Sequence, residues 1–92
     1  MATHDSLFAL FTWERRGTSY RVRFVDGDEY ELQAVQAGQD QGEAPHGSAN
    51  VARTIRRADG TTWPERNAMF FRLEEIAEVA DTGTGEILFR AG

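Results

Sequence analysis

Apolar and polar side chains alternate along residues 20–24 and again along residues 29–32, and residues 25–28, which include Gly27, interrupt the alternation. A period of two is typical of a strand that buries one face, and a glycine between two such runs is typical of a hairpin turn. A three-residue loop, 25–27, places Val22 opposite Tyr30 on the apolar face. A two-residue loop would place Val22 opposite a glutamate and mix the faces, so we predict the longer loop.

The same register sets three further pairs across the hairpin, one apolar and two of opposite charge: Tyr20 with Leu32, Arg23 with Glu29, and Arg21 with Glu31. Opposite charges that face each other across a strand pair stabilise the pairing. The hairpin therefore predicts a small antiparallel β domain.

A helical pattern precedes the hairpin. Asp5 or Ser6 can cap a helix that runs to about residue 15 or 16 and ends at Gly17. The apolar side chains of this segment form one stripe at helical spacing, namely Leu7, Phe8, Leu10 and Phe11. A helix this short is marginal alone, so we expect the stripe to complete the core of the sheet rather than to bind a membrane or a partner.

Turn-forming residues divide the rest of the chain into short segments. The predicted strands cover 19–25, 28–35, 51–57, 68–73, 78–81 and 87–89. We expect three turns: one at residues 58–60, a tight one that includes Ile76 and Val79, and one at the glycine pair 83 and 85. Residues 61–67 contain Pro64 and are predicted to be irregular, with Trp63 lying over an edge of the sheet.

Two further expectations concern individual segments. Residues 37–50 contain no large apolar side chain, so we predict a mobile loop there. In the fourth strand, Met69, Phe71 and Leu73 alternate toward the core, which leaves Phe70 on the outside. One short helix and five to six short strands predict a mainly β protein, a small antiparallel barrel formed by a single domain of 92 residues.

Composition excludes several classes of function. The formal net charge is −5, which disfavours general binding to nucleic acid or to anionic membranes. The chain has no cysteine, so it has no disulfides and no thiolate metal site. The first thirteen residues lack the basic and long apolar regions of a signal peptide or membrane helix, and we expect a cytoplasmic protein.

Catalytic chemistry has few candidate residues. The two histidines, His4 and His46, lie near the N-terminus and in the expected loop, and neither has a neighbour that would orient it. The pair Glu74 and Glu75 is adjacent in sequence, so its carboxylates face different directions. We therefore expect a protein with no enzymatic activity, no cofactor and no metal site.

Charge is distributed in blocks along the chain. Residues 24–49 contain six acids and no arginine, whereas residues 50–72 contain five arginines and two acids. Lysine is absent, a feature that either coding bias or selection for fixed ion pairs could produce. Such blocks either neutralise each other as neighbouring strands or form a two-signed surface that docks on a basic partner.

The order of elements resembles the Sm-like and SH3-like small barrels. The resemblance rests on the hairpin 21–32, on the apolar strand AMFFRL, and on the segment FFRLEEIAEVAD followed by GEILF. Within that group, the leading helix, the acidic balance and the "Leu-acid-x-Ile" turn are most similar to Rof. Rof proteins are small bacterial proteins that bind the transcription terminator Rho and inhibit it.

The resemblance implies a protein-binding inhibitor that covers a basic RNA-binding surface, such as that of Rho, with its own carboxylates. The candidate contact residues are the acids of the helix and of the hairpin: Asp5, Glu14, Asp26, Asp28, Glu29 and Glu31. Because Glu29 and Glu31 face arginines in the predicted register, we expect Asp26 and Asp28 at the hairpin tip to be freer.

Two alternatives remain open. An RNA-binding Sm-like module would use the basic and aromatic residues Arg53, Arg56, Arg57 and Trp63, together with Phe70. The net charge opposes it, and three acids replace the Lys-His signature that Hfq-type proteins carry after their fourth strand. The other alternative is a structural module, either a monomer or a weak homo-oligomer. A homo-oligomer would associate through the strand edge that carries Phe70.

Overall fold

The computed structural model describes residues 3–91, which form four short helical turns and six strands. The turns are 3₁₀ at His4–Ser6, α at Leu7–Leu10 (α1) and 3₁₀ at Trp13–Arg15. The strands are β1 Ser19–Phe24, β2 Glu29–Gly38, β3 His46–Arg56, β4 Met69–Arg72, β5 Ile76–Asp81 and β6 Ile87–Arg90, with a third 3₁₀ turn at Leu73–Glu75.

All six strands belong to one antiparallel sheet with the order β4-β3-β2-β1-β5-β6. The mainly β fold predicted from the alternating pattern is therefore confirmed. Closure into a barrel is not: β4 and β6 are the two edges of the sheet and do not pair with each other. Among the described residues, the short final strand β6 pairs with β5. Alternation along a strand predicts which face is buried, but it does not predict whether the edge strands pair with each other.

The opening hairpin has the predicted register. Val22 pairs with Tyr30, and the charged and apolar pairs on either side follow as expected. The amide of Phe24 donates to the carbonyl of Asp28 at 2.8 Å, which leaves residues 25–27 as the loop. Gly27 has φ +98°, a conformation that favours glycine because it has no Cβ.

Aromatic and aliphatic side chains from the N-terminal segment and from all six strands form one core. Its largest fully buried members include Tyr20, Phe11 and Phe89. Phe11 meets Tyr20 and Phe71 edge to face, with ring centroids 5.4 and 6.4 Å apart, and Phe24 meets Phe71 at 5.6 Å. Edge-to-face pairs of this kind add stabilisation beyond that of buried area.

The N-terminal segment packs on the core as expected, but it is not one helix. The α-helical turn ends at Leu10, and Phe11 has φ −96° and ψ 67°, outside the helical region. The Phe11 carbonyl accepts a hydrogen bond from the Ala37 amide of β2 at 3.0 Å, and its side chain is buried. Packing against the sheet therefore overrides helix continuation, since a short helix has little stability of its own.

The prediction of a loop over the whole of residues 37–50 is wrong in its extent. β2 continues to Gly38, β3 begins at His46, and only 39–45 connect them. Gly47 is buried opposite Phe71, whose ring occupies the space that a Cβ would need. Small residues here permit close approach of an aromatic ring, which composition alone does not distinguish from flexibility.

The tight turn lies earlier than predicted, at Leu73–Glu75, and Ile76 already begins β5. Ile76 and Val79 both face the core although they are three residues apart, because a bulge opposite Phe24 shifts the register of β5. The other predicted irregular regions are confirmed: the turns that contain Gly60 and Gly85 have glycines with positive φ, and 61–67 contains only one isolated bridge.

Candidate functional site

Arginines from neighbouring strands pair with two of the candidate acids, Glu29 and Glu31. Glu29 lies 3.3 Å from Arg21 and 3.8 Å from Arg56, and Glu31 lies 3.3 Å from Arg53. The Cα register is the predicted one, but the ionic partners are diagonal or on β3 rather than directly opposite. The acidic block of β2 is therefore neutralised mainly by the basic block of β3.

The residues of the RNA-binding alternative lie in the same mixed-charge surface. Arg53 contacts Glu65 at 3.0 Å in addition to Glu31, and Arg56 contacts Glu29. Arg57 lies 3.6 Å from Asp28 and 3.7 Å from Asp59. Each arginine thus faces at least one carboxylate, and these carboxylates would repel a phosphate backbone.

Asp28 is an internal support of the hairpin tip. Its carboxylate accepts hydrogen bonds from the Ala58 amide at 2.8 Å and from the Tyr30 hydroxyl at 3.3 Å. With the Arg57 ion pair, these bonds connect the hairpin tip to the turn after β3. Burial raises the pKa of the Tyr30 phenol above its ordinary value, and the Asp28 carboxylate adds to the rise.

Trp63 lies at the surface beside Tyr30 and Arg57, as predicted, and its ring faces two guanidinium groups. The guanidinium of Arg57 lies 3.7 Å from the ring centroid, and that of Arg66 lies 5.0 Å from it. The Tyr30 ring lies 6.4 Å away. Stacking of guanidinium on an indole face is a favourable cation–π arrangement and holds the irregular segment 61–67 against the sheet.

Asp26 and Glu75 are the freer carboxylates at this end of the sheet. Asp26 is exposed, and its carboxylate accepts a hydrogen bond from the Asp28 amide at 2.9 Å within the turn. Glu75 is exposed, and its backbone carbonyl accepts the Val25 amide at 2.8 Å, which places it beside the hairpin tip. Within residues 3–91, neither side chain forms an ion pair.

A cavity of about 270 Å³ separates the hairpin tip from the segment 63–71. Its lining combines carboxylates with aromatic rings: Asp26, Asp28, Glu75, Tyr30, Trp63 and Phe70. Arg66 is the one basic residue among the lining residues. Phe70 projects from the edge strand β4, as predicted, and is 78% exposed.

The two acids of the N-terminal segment lie at different ends of β1. The imidazole of His4 contacts the Ile76 carbonyl at 2.9 Å, so the neighbouring Asp5 lies near the start of β5 and the hairpin end of the sheet. Glu14 lies near the start of β1, because the carbonyl of Arg15 accepts the Thr18 amide at 2.9 Å. Both acids are exposed.

Sequence reasoning did not select Glu75 as a contact residue. It lies 47 positions beyond Asp28 in the chain, and only the contact between the 3₁₀ turn and Val25 brings it to the hairpin tip. The available signal was the acidic pair that precedes Ile76. The same pair also suits a solvated turn, so pattern alone could not decide between the two.

Other kinds of site are not evident in the part of the chain that the structure covers. Among residues 3–91, no group of three histidine, aspartate or glutamate side chains is arranged to hold a metal ion. No helix within that range is long and apolar enough to cross a membrane. No family model matches the chain, and neither a curated protein nor a solved structure matches it.

Proposed function

We propose that this protein is a small acidic, non-enzymatic module that binds a partner protein through its hairpin end. One observation carries the proposal: Asp26 and Glu75, which form no ion pair with any residue that the structure describes, lie beside an exposed aromatic residue, Phe70, on one cavity. Interfaces are typically enriched in aromatic residues, and unpaired surface charge guides encounter with a surface of opposite sign.

The other acids have different roles in this proposal. Glu29, Glu31 and Asp28 each face an arginine of the same chain, so they contribute to the fold rather than to the contact. Asp5, near the hairpin end, extends the acidic surface, whereas Glu14 is too far along β1 to join it. The contact set is therefore Asp26, Glu75 and Asp5.

The resemblance to Rof makes a basic RNA-binding surface, such as that of Rho, the first partner to test. The measurement is the fluorescence anisotropy of a labelled RNA bound to purified Rho, with this protein added as competitor. We expect the RNA to be displaced, and displacement should weaken as salt screens the exposed charges. Unchanged anisotropy at a large excess of this protein would contradict Rho as the partner.

Charge-removing variants test the surface itself. Asp26→Asn, Glu75→Gln and Asp5→Asn together should weaken displacement about tenfold, since each exposed ionic contact contributes about 0.2–1 kcal/mol. Glu86→Gln makes the same kind of change beyond the other end of β5 and serves as the matched control. Equal activity of the triple variant and the control would exclude the hairpin end.

A second candidate, self-association through β4, is favoured by the exposure of Phe70 on an edge strand. Light scattering on the wild type and on Phe70→Glu decides it. A dimer that the substitution dissociates would support this candidate, and a monomeric wild type would exclude it. Direct binding of A-rich or U-rich oligonucleotides at low salt, with an affinity that salt reduces, would instead favour the RNA-binding alternative.

A further inference from the structure

We infer that the cavity at the hairpin end receives an arginine side chain of the partner protein. The inference rests on the proposed function and specifies its chemistry. The cavity has an aromatic floor, because Phe24, Tyr30 and Phe71 line it and are almost fully buried. Its rim carries exposed carboxylates and the exposed ring of Phe70, so a cation with a flat apolar face is the complementary ligand.

The protein's own arginines show that one aromatic ring of this cavity, that of Trp63, already binds guanidinium groups. Arg57 and Arg66 both lie over the Trp63 ring, at 3.7 and 5.0 Å from its centroid. Among residues 3–91, no guanidinium lies over Phe70, although this ring borders the same cavity. Phe70 is therefore the stacking surface that remains available to an arginine from outside the chain.

Charge and size agree with a single arginine. Three carboxylates line the cavity, Asp26, Asp28 and Glu75, against the one guanidinium of Arg66. Arg57 offsets Asp28, which leaves Asp26 and Glu75 as the lining acids without an ion pair among residues 3–91. The volume of about 270 Å³ lies just below the range usual for pockets that enclose whole drug-sized ligands, so it suits one side chain.

Arginine is favoured over lysine by geometry. A guanidinium can stack on Phe70 while its N–H groups donate to a carboxylate, whereas the ammonium of lysine is a compact and strongly hydrated charge. Because the site lies at the surface, each contact is weak. We therefore expect millimolar affinity for an isolated arginine peptide, and tighter binding only when the rest of a partner adds its contacts.

The test uses ¹⁵N-labelled full-length protein and three capped tripeptides: acetyl-Gly-Arg-Gly-amide, its lysine counterpart and its citrulline counterpart. Citrulline keeps the shape of arginine and lacks the charge. We expect the arginine peptide to shift the amide signals of Asp26, Phe70 and Glu75, with about threefold weaker binding for lysine and no saturable shift for citrulline. Equal shifts with arginine and citrulline, or shifts confined to other residues, would overturn the inference.

Variants of exposed residues keep the test independent of folding. Phe70→Ala should reduce arginine binding about threefold or more, and Asp26→Asn with Glu75→Gln should reduce it about fivefold. Trp13→Ala removes an exposed ring elsewhere and Glu86→Gln removes a charge elsewhere, so both should bind as the wild type does. Wild-type binding in the cavity variants would overturn the inference.

The outcomes separate this inference from the proposed function. Displacement of RNA from Rho without cavity shifts from the arginine peptide would retain the protein-binding function and exclude the arginine pocket. Cavity shifts that appear on concentrating the protein, with no peptide present, would assign the surface to a second copy of this chain and overturn the inference.

Discussion

Gly47→Ala tests whether the segment before residue 50 is an ordered strand. An ideal Cβ at Gly47 would lie 2.5 Å from Cε2 and 2.8 Å from Cζ of Phe71, and 3.3 Å from Cδ2 of Leu73. The Phe71 ring cannot easily move aside, because the rings of Phe11 and Phe24 flank it at 6.4 and 5.6 Å. The substitution therefore forces strain into the core.

The expected magnitude follows from two opposing effects. Overpacking of a well-packed core costs about 1–3 kcal/mol. Replacement of glycine by alanine restricts the unfolded chain and returns about 0.4–1 kcal/mol where the native backbone tolerates alanine. We therefore expect Gly47→Ala to lower the free energy of unfolding by about 1–2 kcal/mol.

Urea denaturation followed by tryptophan fluorescence measures the change. The midpoint should fall by about 1 M with an unchanged slope, since small proteins have slopes of about 1–3 kcal/mol per M. Gly38→Ala is the matched control, because its Cβ would meet only the His46 ring, at 3.8 Å. If Gly47→Ala were as stable as this control, the packing of β3 against Phe71 would be refuted.

Three further substitutions test other contacts. Asp28→Ala removes the acceptor for the Ala58 amide and should cost about 1–3 kcal/mol in urea denaturation, whereas Asp40→Ala in an exposed loop should change stability by under about 0.5 kcal/mol. Phe11→Ala should cost about 3–5 kcal/mol by the same measurement, and a cost below about 1 kcal/mol would contradict its burial. Burial raises the pKa of the Tyr30 phenol in the folded protein above its unfolded value near 10. The neutral phenol therefore stabilises the fold fully below about pH 10, and this stabilisation is lost as pH rises through the folded pKa. Tyr30→Phe should reduce this alkaline decline in denaturation from about pH 8 to about pH 11, and an unchanged decline would contradict the linkage.

Local patterns predicted those elements whose signals lie within a few residues of each other. The register of β1 and β2 follows from alternation and from one glycine, because a shift of one residue would reverse both faces. The outward position of Phe70 follows from the same alternation in β4. These features needed no knowledge of distant neighbours.

Other features depended on contacts between distant segments. The N-terminal helix ends at Leu10 because Phe11 docks on β2, and β3 begins at His46 because Gly47 makes room for Phe71. Neither outcome can be read from propensity, since glycine is typical of loops as well as of close packing. In both places, contacts between distant segments stabilise the observed backbone more than local propensity stabilises the predicted one.

The candidate site likewise has features that the sequence predicts and features that only the tertiary structure decides. The sequence alone determined that the hairpin tip is acidic and that its strands pair with aromatic residues beneath, because these properties follow from residue type and period. Only the tertiary structure decided which carboxylates are free: Arg57 engages Asp28, whereas Glu75 reaches the tip from a distant turn. Ion pairing depends on distances of a few ångströms, and the folding of the whole sheet sets those distances.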